Sequence, residues 1–257
     1  RYVSILNGEG EYVLNGELVT GIALGTLSNP EIKWEQQESF NVGVDARFLN
    51  NELIFTADYF SRNTKDLLLV PDISGILGGT APGSGAPIIN GGDVKNTGFE
   101  FQIGYSKSYG DDLSFNVNYN FTTLENEVLK VDNSLGYISG GGFGIGQSDV
   151  ARMEVGMPIG YFHGLKTDGI FQNQSEVDAH PSQLALGANA QPGDIRFVDI
   201  NNDGVINEDD KTYIGDPIPD VTMGLNISFD YKNFDFQMYL FSSIGNKIVR
   251  NYERNLS

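Results

Sequence analysis

A period-two alternation of apolar and polar residues recurs in six stretches of this chain, and no other feature narrows its fold as much. The clearest stretch is LSFNVNYNFT, where Leu113, Phe115, Val117, Tyr119 and Phe121 alternate with Ser114, Asn116, Asn118, Asn120 and Thr122. A β-strand sends successive side chains to opposite faces, so such a segment has one apolar and one polar side. SFNVGVDARF sets Phe40, Val42, Val44, Ala46 and Phe48 against Asn41, Gly43, Asp45 and Arg47. LIFTADYF, FEFQIGYS, VTMGLNISFDY and FDFQMYLF repeat the pattern. The expected fold class is all-β with antiparallel strands.

Composition agrees and excludes several functions. Gly 32, Tyr 12 and Phe 16 favour strands and ordered loops. With no cysteine, disulfides, thiolate metal sites and cysteine nucleophiles are ruled out. The 34 acidic residues outnumber the 16 Lys and Arg, a net charge of −18, which repels nucleic acid. No apolar run approaches the ~20 residues of a membrane helix; LLLV at Leu67–Val70 is among the strongest. Strands that cross a membrane carry a much weaker hydropathy signal. The opening RYVSILNGEGEYVLNGE has no leader pattern and reads as the interior of a protein.

Alternation alone also fits a soluble β-sandwich with one face buried. Two features favour a transmembrane β-barrel. The polar faces are rich in Asn, Gln, Asp and Glu, as a wet lumen requires. The connections also alternate in length. LNNE (Leu49–Glu52), KSYGDD (Lys107–Asp112) and YKN (Tyr231–Asn233) are tight hairpins, separated by long segments from about Asp66 to Thr97 and from about Leu124 to Asp220. Short turns at one end and long loops at the other characterise outer-membrane barrels. Tyr59, Phe60, Tyr105, Tyr119, Phe121, Phe229, Tyr231, Phe234 and Phe236 stand near strand ends, where aromatic girdles belong. Parity requires an even number of crossings between LSFNVNYNFT and VTMGLNISFDY, and zero is expected. Residues 124–220 then form one extracellular elaboration.

Within that elaboration, Asp199–Asp210 has the spacing of a calcium loop. Asp199, Asn201 and Asp203 occupy positions 1, 3 and 5, and Gly204 allows the sharp turn. Val205 would offer its carbonyl, Asn207 a direct or water-mediated contact, and Asp210 the closing ligand, with Ile206 anchoring the loop. Hard oxygen donors in this number favour Ca²⁺ in a structural role. The competing reading is a solvated turn region, which the same residue types also build.

Together these stretches resemble the SusC/RagA-like TonB-dependent outer-membrane transporters. The resemblance runs from NPEIKWEQQESFNVGVD through LIFTADYFSRNTKDLLL, NTGFEFQIGY and VGMPIGYFHGLKTDGIFQ to the acidic loop and IGDPIPDVTMGLNISFDYKNFDF. It covers about Asn29 to Asn251. It implies a bacterial outer-membrane location and about six membrane strands of a 22-stranded barrel, with the plug domain and final strand outside this chain. It also implies a SusD-like surface lipoprotein, TonB acting through the plug, and oligosaccharide or oligopeptide cargo. Residues 1–257 are then part of one barrel domain in the lipid bilayer.

On this reading Asn41, Asp45, Gln102, Asn116, Asn118 and Asn120 face the lumen and are candidates for solute binding. No residue is expected to be catalytic. His163 and His180 have no metal-ligand spacing, no Gly-x-Ser-x-Gly motif occurs, and GGGFGIG (Gly140–Gly146) lacks the ending of a phosphate loop. Trp34 reads as a rim anchor or a sugar-stacking ring. The alternative function is a secreted, calcium-stabilised β-sandwich that binds carbohydrate or acts as an adhesin.

Overall fold

The computed structural model describes residues 6–25, 27–71, 85–110, 112–133, 135–140 and 149–249. In chain order the strands are β1 (Leu6–Leu14), β2 (Glu17–Leu24), β3 (Gln36–Phe48), β4 (Leu53–Leu69) and β5 (Ile89–Tyr109). They continue as β6 (Leu113–Thr123), β7 (Glu125–Val131), β8 (Tyr137–Ser139), β9 (Ala151–Glu154) and β10 (Tyr161–Leu165). Then come β11 (Thr167–Ile170), β12 (Ile195–Phe197), β13 (Lys211–Gly215), β14 (Val221–Tyr231) and β15 (Phe234–Ile244). The one α-helix among the described residues, α1 (Gln174–Ala179), is far too short to cross a membrane.

The chain divides into two units. The first includes the chain up to Ile138, together with Met153–Ile159 and Ile218–Asn246. Its main sheet has the order β15-β14-β6-β5-β4-β3, and every neighbouring pair is antiparallel. All six alternating stretches therefore enter one sheet, and β14 lies directly beside β6. β1 and β2 form a separate hairpin on Asn15–Gly16, both at positive φ as a tight two-residue turn demands. The β3–β4 turn likewise holds Leu49, Asn50 and Asn51 at positive φ.

Direct cross-strand partners share a face, so the register carries the alternation from strand to strand. One row runs Ala46, Phe55, Ile103, Tyr119, Leu225, Leu240; the next runs Phe48, Leu53, Tyr105, Val117, Ile227, Met238. Aromatics run through this apolar band and along its edges. Tyr59 and Phe99 pack at 5.1 Å toward one end, and Tyr105 and Phe115 at 6.4 Å toward the other. A sandwich would cover this face with a second sheet. Phe40, Val42 and Val44 instead remain 60%, 55% and 62% exposed.

The segment from Asp66 to Thr97 is not the open loop the alternation suggests. β4 and β5 stay paired out to Leu69 and Ile89, with register shifts after Thr64 and after Leu67. β7 continues the line of β6 along β5, from Thr97↔Glu125 to Gly92↔Val131. Period-two patterning fades here because the extension buries apolar groups in a small core of its own. Val94, Val128 and Met153 are buried, with Leu67, Leu69, Val131, Ile138 and Ile159 packed around them. The extension is held by dry packing, whereas the band below it leaves its apolar groups facing outward.

In the second unit (Ser139–Arg152, Gly160–Pro217 and the chain from Lys247), β10 pairs with β9 and β13, and β11 pairs with β12. Tyr161, Phe171 and Ile206 are its fully buried apolar side chains among the described residues. Asn173 caps α1 by accepting from the N–H of Glu176. Of the glycine-rich stretch Gly140–Gly146, residues 141–146 lie outside the described residues.

Val128 has no exposed surface and centres the extension's core. Val128→Ala should cost about 1–3 kcal/mol locally, from lost burial and a partly unfilled cavity. Hydrogen exchange should then quicken at residues 92–97 and 125–131 and stay unchanged at residues 115–121.

Candidate functional site

The polar face of the main sheet gathers all six residues that the alternation marks as lumen-facing. Asp45, Gln102 and Asn120 fall in one cross-strand row, linked through Thr56 and continued by Gly224. Asn118 lies one row nearer the short turns, and Asn116 one row beyond it. Asn41 stands at the far side, in the row of Phe60 and Gly98. Hydrogen bonds on this surface include Thr56 Oγ1 donating to Asp45 Oδ1 at 2.8 Å, Asn118 Nδ2 to Asn116 Oδ1 at 2.7 Å and Ser114 Oγ to Asp230 Oδ2 at 2.7 Å.

A cavity of about 380 Å³ opens on this face, lined by Thr56, Asp58, Glu100, Gln102, Asn120 and Thr122 among others. Sequence reasoning singled out only Gln102 and Asn120 from that group. Thr56, Asp58, Glu100 and Thr122 hold the same alternating positions, so the signal was present, but only the pairing shows that they converge. Asp58 and Glu100 are direct cross-strand partners, an unfavourable placement for two carboxylates. Gly43, on the other side of Asp58, leaves the space that relieves it: a Cβ there would stand 1.9 Å from Asp58 Oδ1. Gly104 and Gly224 similarly lie under Asn118 and Asn120, where a Cβ would stand 2.6 and 2.7 Å from the amide oxygens. Gly98 differs, because a Cβ there would meet the backbone oxygen of Thr123 at 2.0 Å and the ring of Phe60 at 2.8 Å.

The second candidate is the acidic loop in the other unit. Asp199 Oδ1 accepts from Asn202 N at 2.7 Å and Oδ2 from Gly204 N at 2.9 Å. Asn201 Oδ1 accepts from Asp203 N at 2.9 Å, and Asp203 Oδ1 from Val205 N at 2.8 Å. Asn202 and Gly204 turn the chain at φ of 60° and 86°. Ile206 is fully buried, and its N–H donates to Ser182 O at 2.7 Å. Asp210 is buried too: Oδ1 accepts from Ile200 N and Oδ2 from Asn207 N, each at 2.8 Å. The N–H of Asn207, followed by those of Ile200 and Asn201, holds the Asp210 carboxyl below its ordinary value against the opposing effect of burial.

These bonds already close the loop. Each carboxylate oxygen that accepts one N–H keeps a further lone-pair direction. Among the described residues, no three His, Asp or Glu side chains stand together as a metal-binding group. An ion here would therefore depend on the side-chain oxygens of Asn201 and Asn207 and the carbonyl of Val205 as well as on Asp199, Asp203 and Asp210.

The remaining candidates are packed or exposed, and His180 lines a cavity of about 400 Å³ with Phe171, Asp178 and Gln183. Arg152 Nη1 lies 3.1 Å from His163 Nε2, which also packs edge-on to Tyr161. His180 stands edge-on to Phe171, and Trp34 is exposed.

Residues 6–255 match the family model described as TonB dependent receptor-like, beta-barrel. TonB-dependent receptor P3 of Formosa agariphila is 30% identical over 241 residues, covering 92% of this chain and 23% of its own length. TonB-dependent receptor SusC of Bacteroides thetaiotaomicron is 29% identical over 228 residues, covering 88% of this chain and 21% of its own length. The solved structure of the RagAB peptide transporter superposes with a TM-score of 0.70 at 21% identity, covering 95% of this chain and 24% of that one. This chain thus spans about a quarter of the length of the relatives it matches. The structural likeness is one of fold.

The glycines divide by what a methyl group would meet. Gly98→Ala collides with backbone and should cost about 3 kcal/mol or more. Gly43→Ala meets chiefly the Asp58 carboxylate, which can swing away, with the backbone oxygen of Ala57 farther off at 3.2 Å, and should cost less than about 1 kcal/mol. Unfolding midpoints of the two full-length variants in detergent test the difference.

Proposed function

This chain belongs to the TonB dependent receptor-like β-barrel family, and from that premise we propose that it forms part of the wall of a bacterial outer-membrane transporter. The proposed cargo is oligosaccharide, with oligopeptide as the second class. The observation that carries this reading is the register of the main sheet, which keeps one face apolar and the other polar across six strands. In a bilayer the apolar band would meet lipid and the polar face would line a wet interior. On that interior, Asn and Gln carboxamides offer donors and acceptors suited to sugar hydroxyls. The peptide cargo named for the RagAB structures supports the second class. By the same family logic, a SusD-like lipoprotein would cover the outer mouth and TonB would act through a plug. The chain carries no proposed catalytic role.

We also propose that the Asp199–Asp210 loop takes Ca²⁺ as a structural staple, through Asp199, Asn201, Asp203, Val205, Asn207 and Asp210. Support comes from the spacing of its oxygen groups and from Gly204 at the sharp turn. An ion there would offset repulsion among the carboxylates and fix the loop anchored by Ile206.

Deleting the gene for the full protein should abolish growth on one class of oligosaccharide as sole carbon source, and plasmid-borne protein should restore it. Growth unchanged on every oligosaccharide and peptide tested would refute the import reading. For the loop, millimolar Ca²⁺ should slow hydrogen exchange at residues 199–210 at least about tenfold, as expected for a bound ion at saturation. Asp199→Ala with Asp203→Ala should remove that response. No response in the wild type would exclude the staple.

A further inference from the structure

The polar face of the sheet breaks its own rule on β15. There Asp235, Gln237 and Ser243 keep the alternation, but Tyr239 and Phe241 put two large rings on the side otherwise given to amides, hydroxyls and carboxylates. They are 67% and 78% exposed. Two other apolar residues on this face are explained by packing. Phe60 lies over Gly98, and Ile54 touches the open space at Gly104. Tyr239 and Phe241 stay exposed, and the Tyr239 hydroxyl accepts from Gln237 Nε2. Departures from a consistent pattern without a packing reason point to binding.

Their neighbours are uncharged. Tyr239 pairs with Asn226, which pairs with Asn118. Phe241 pairs with Gly224, which pairs with Asn120. Because Gly224 has no side chain, the Asn120 carboxamide lies across it, with Oδ1 and Nδ2 at 2.7 and 3.2 Å from where a Cβ would stand. That brings the amide toward the Phe241 side of the strand. Asn226 Oδ1 is buried with no hydrogen-bond partner, an acceptor still to be satisfied. Charge lies elsewhere: Asp45, Asp58 and Glu100 belong to β3, β4 and β5, and Asp230 and Asp235 sit two rows nearer the turn than Tyr239.

We propose that Tyr239 and Phe241, with Asn118, Asn120 and Asn226, form a subsite for an uncharged, polyhydroxylated ring. The proposal rests on the import reading and gives that reading a place on the wall. Aromatic faces take up the C–H side of such a ring, and carboxamides, each both donor and acceptor, take up its hydroxyl edge. An ionic cargo would be matched by opposite charge beside the rings, whereas the charges in these two rows, Asp45 and Arg47, stand at their far end on β3. The acidic cavity at Asp58 and Glu100 borders the subsite at Asn120, but its carboxylates stand on β4 and β5, away from the rings on β15.

Ser243 shares the face and stands two residues from Phe241, so Ser243→Cys reports on the subsite without removing either ring. The full-length protein, with any other cysteine replaced, is labelled in isolated outer membranes by a membrane-impermeant maleimide. Malto-, xylo- and manno-oligosaccharides are compared with a tryptic casein digest as protectants. Labelling should proceed without sugar, and at least one oligosaccharide should slow it about fivefold or more. Peptides should have no effect, and Tyr239→Ala with Phe241→Ala should abolish the protection. Failure to label before sugar is added would mean that part of the protein itself covers the rings, and would overturn the proposal. So would protection by peptides alone, protection by no oligosaccharide, or protection that survives loss of both rings. Growth of the deletion strain separates the two claims: protection with normal growth sinks import and spares the subsite, and the reverse pattern sinks the subsite alone.

Discussion

In-register antiparallel pairing from β3 across to β15 is the constraint on which the rest of the structure depends. Because side chains repeat every two residues, a slip of one residue in any strand would move its whole apolar set to the wet face. The pairs Val44↔Ala57, Ala57↔Phe101, Phe101↔Phe121 and Phe121↔Met223 show how strictly the phase is kept. The same ladder pairs backbone N–H and C=O groups with neighbouring strands, which any sheet in hydrocarbon requires because no water is present to replace a missing partner. Tight turns with Leu49, Asn50, Asn51 and Lys232 at positive φ set the register at one end.

Past the band the patterning relaxes and apolar groups appear on the opposite face, where Val94 is in phase with Gly98, Glu100 and Gln102. β4, β5 and β7 extend past the aromatic row of Tyr59 and Phe99 and close around Val94, Val128 and Met153. Gly92 fits beneath that core, since a Cβ would stand 2.4 Å from Lys130 O and 2.6 Å from Met153 Cε. The long strands thus combine two kinds of stabilisation along their length. The band relies on its surroundings, and the extension on its own packing.

Most of the sheet was legible in the sequence because alternation is a local signal, and all six stretches occupy the strands it marks. The six lumen candidates share a face for the same reason. The extension was not legible: Leu67 and Leu69 become core only through contact with residues some sixty to ninety positions away, such as Val131 and Ile159. The convergence of Asp58 with Glu100, and of Phe241 with Gly224 and Asn120, likewise depends on register between strands that are distant in the chain. In the acidic loop, the spacing revealed the turn. It did not reveal that Asp210 would turn inward to accept from Ile200 and Asn207.

The central claim is that one face of this sheet meets lipid and the other meets water. Nitroxide labels placed singly from Ser114 to Thr122 and from Thr222 to Asp230, in full-length protein reconstituted into bilayers, test it most directly. Collision rates with oxygen should peak at the odd-numbered positions and those with a water-soluble nickel chelate at the even-numbered ones, in phase across both strands. Nickel access that is equal on the two faces, or an alternation out of phase between β6 and β14, would contradict the account.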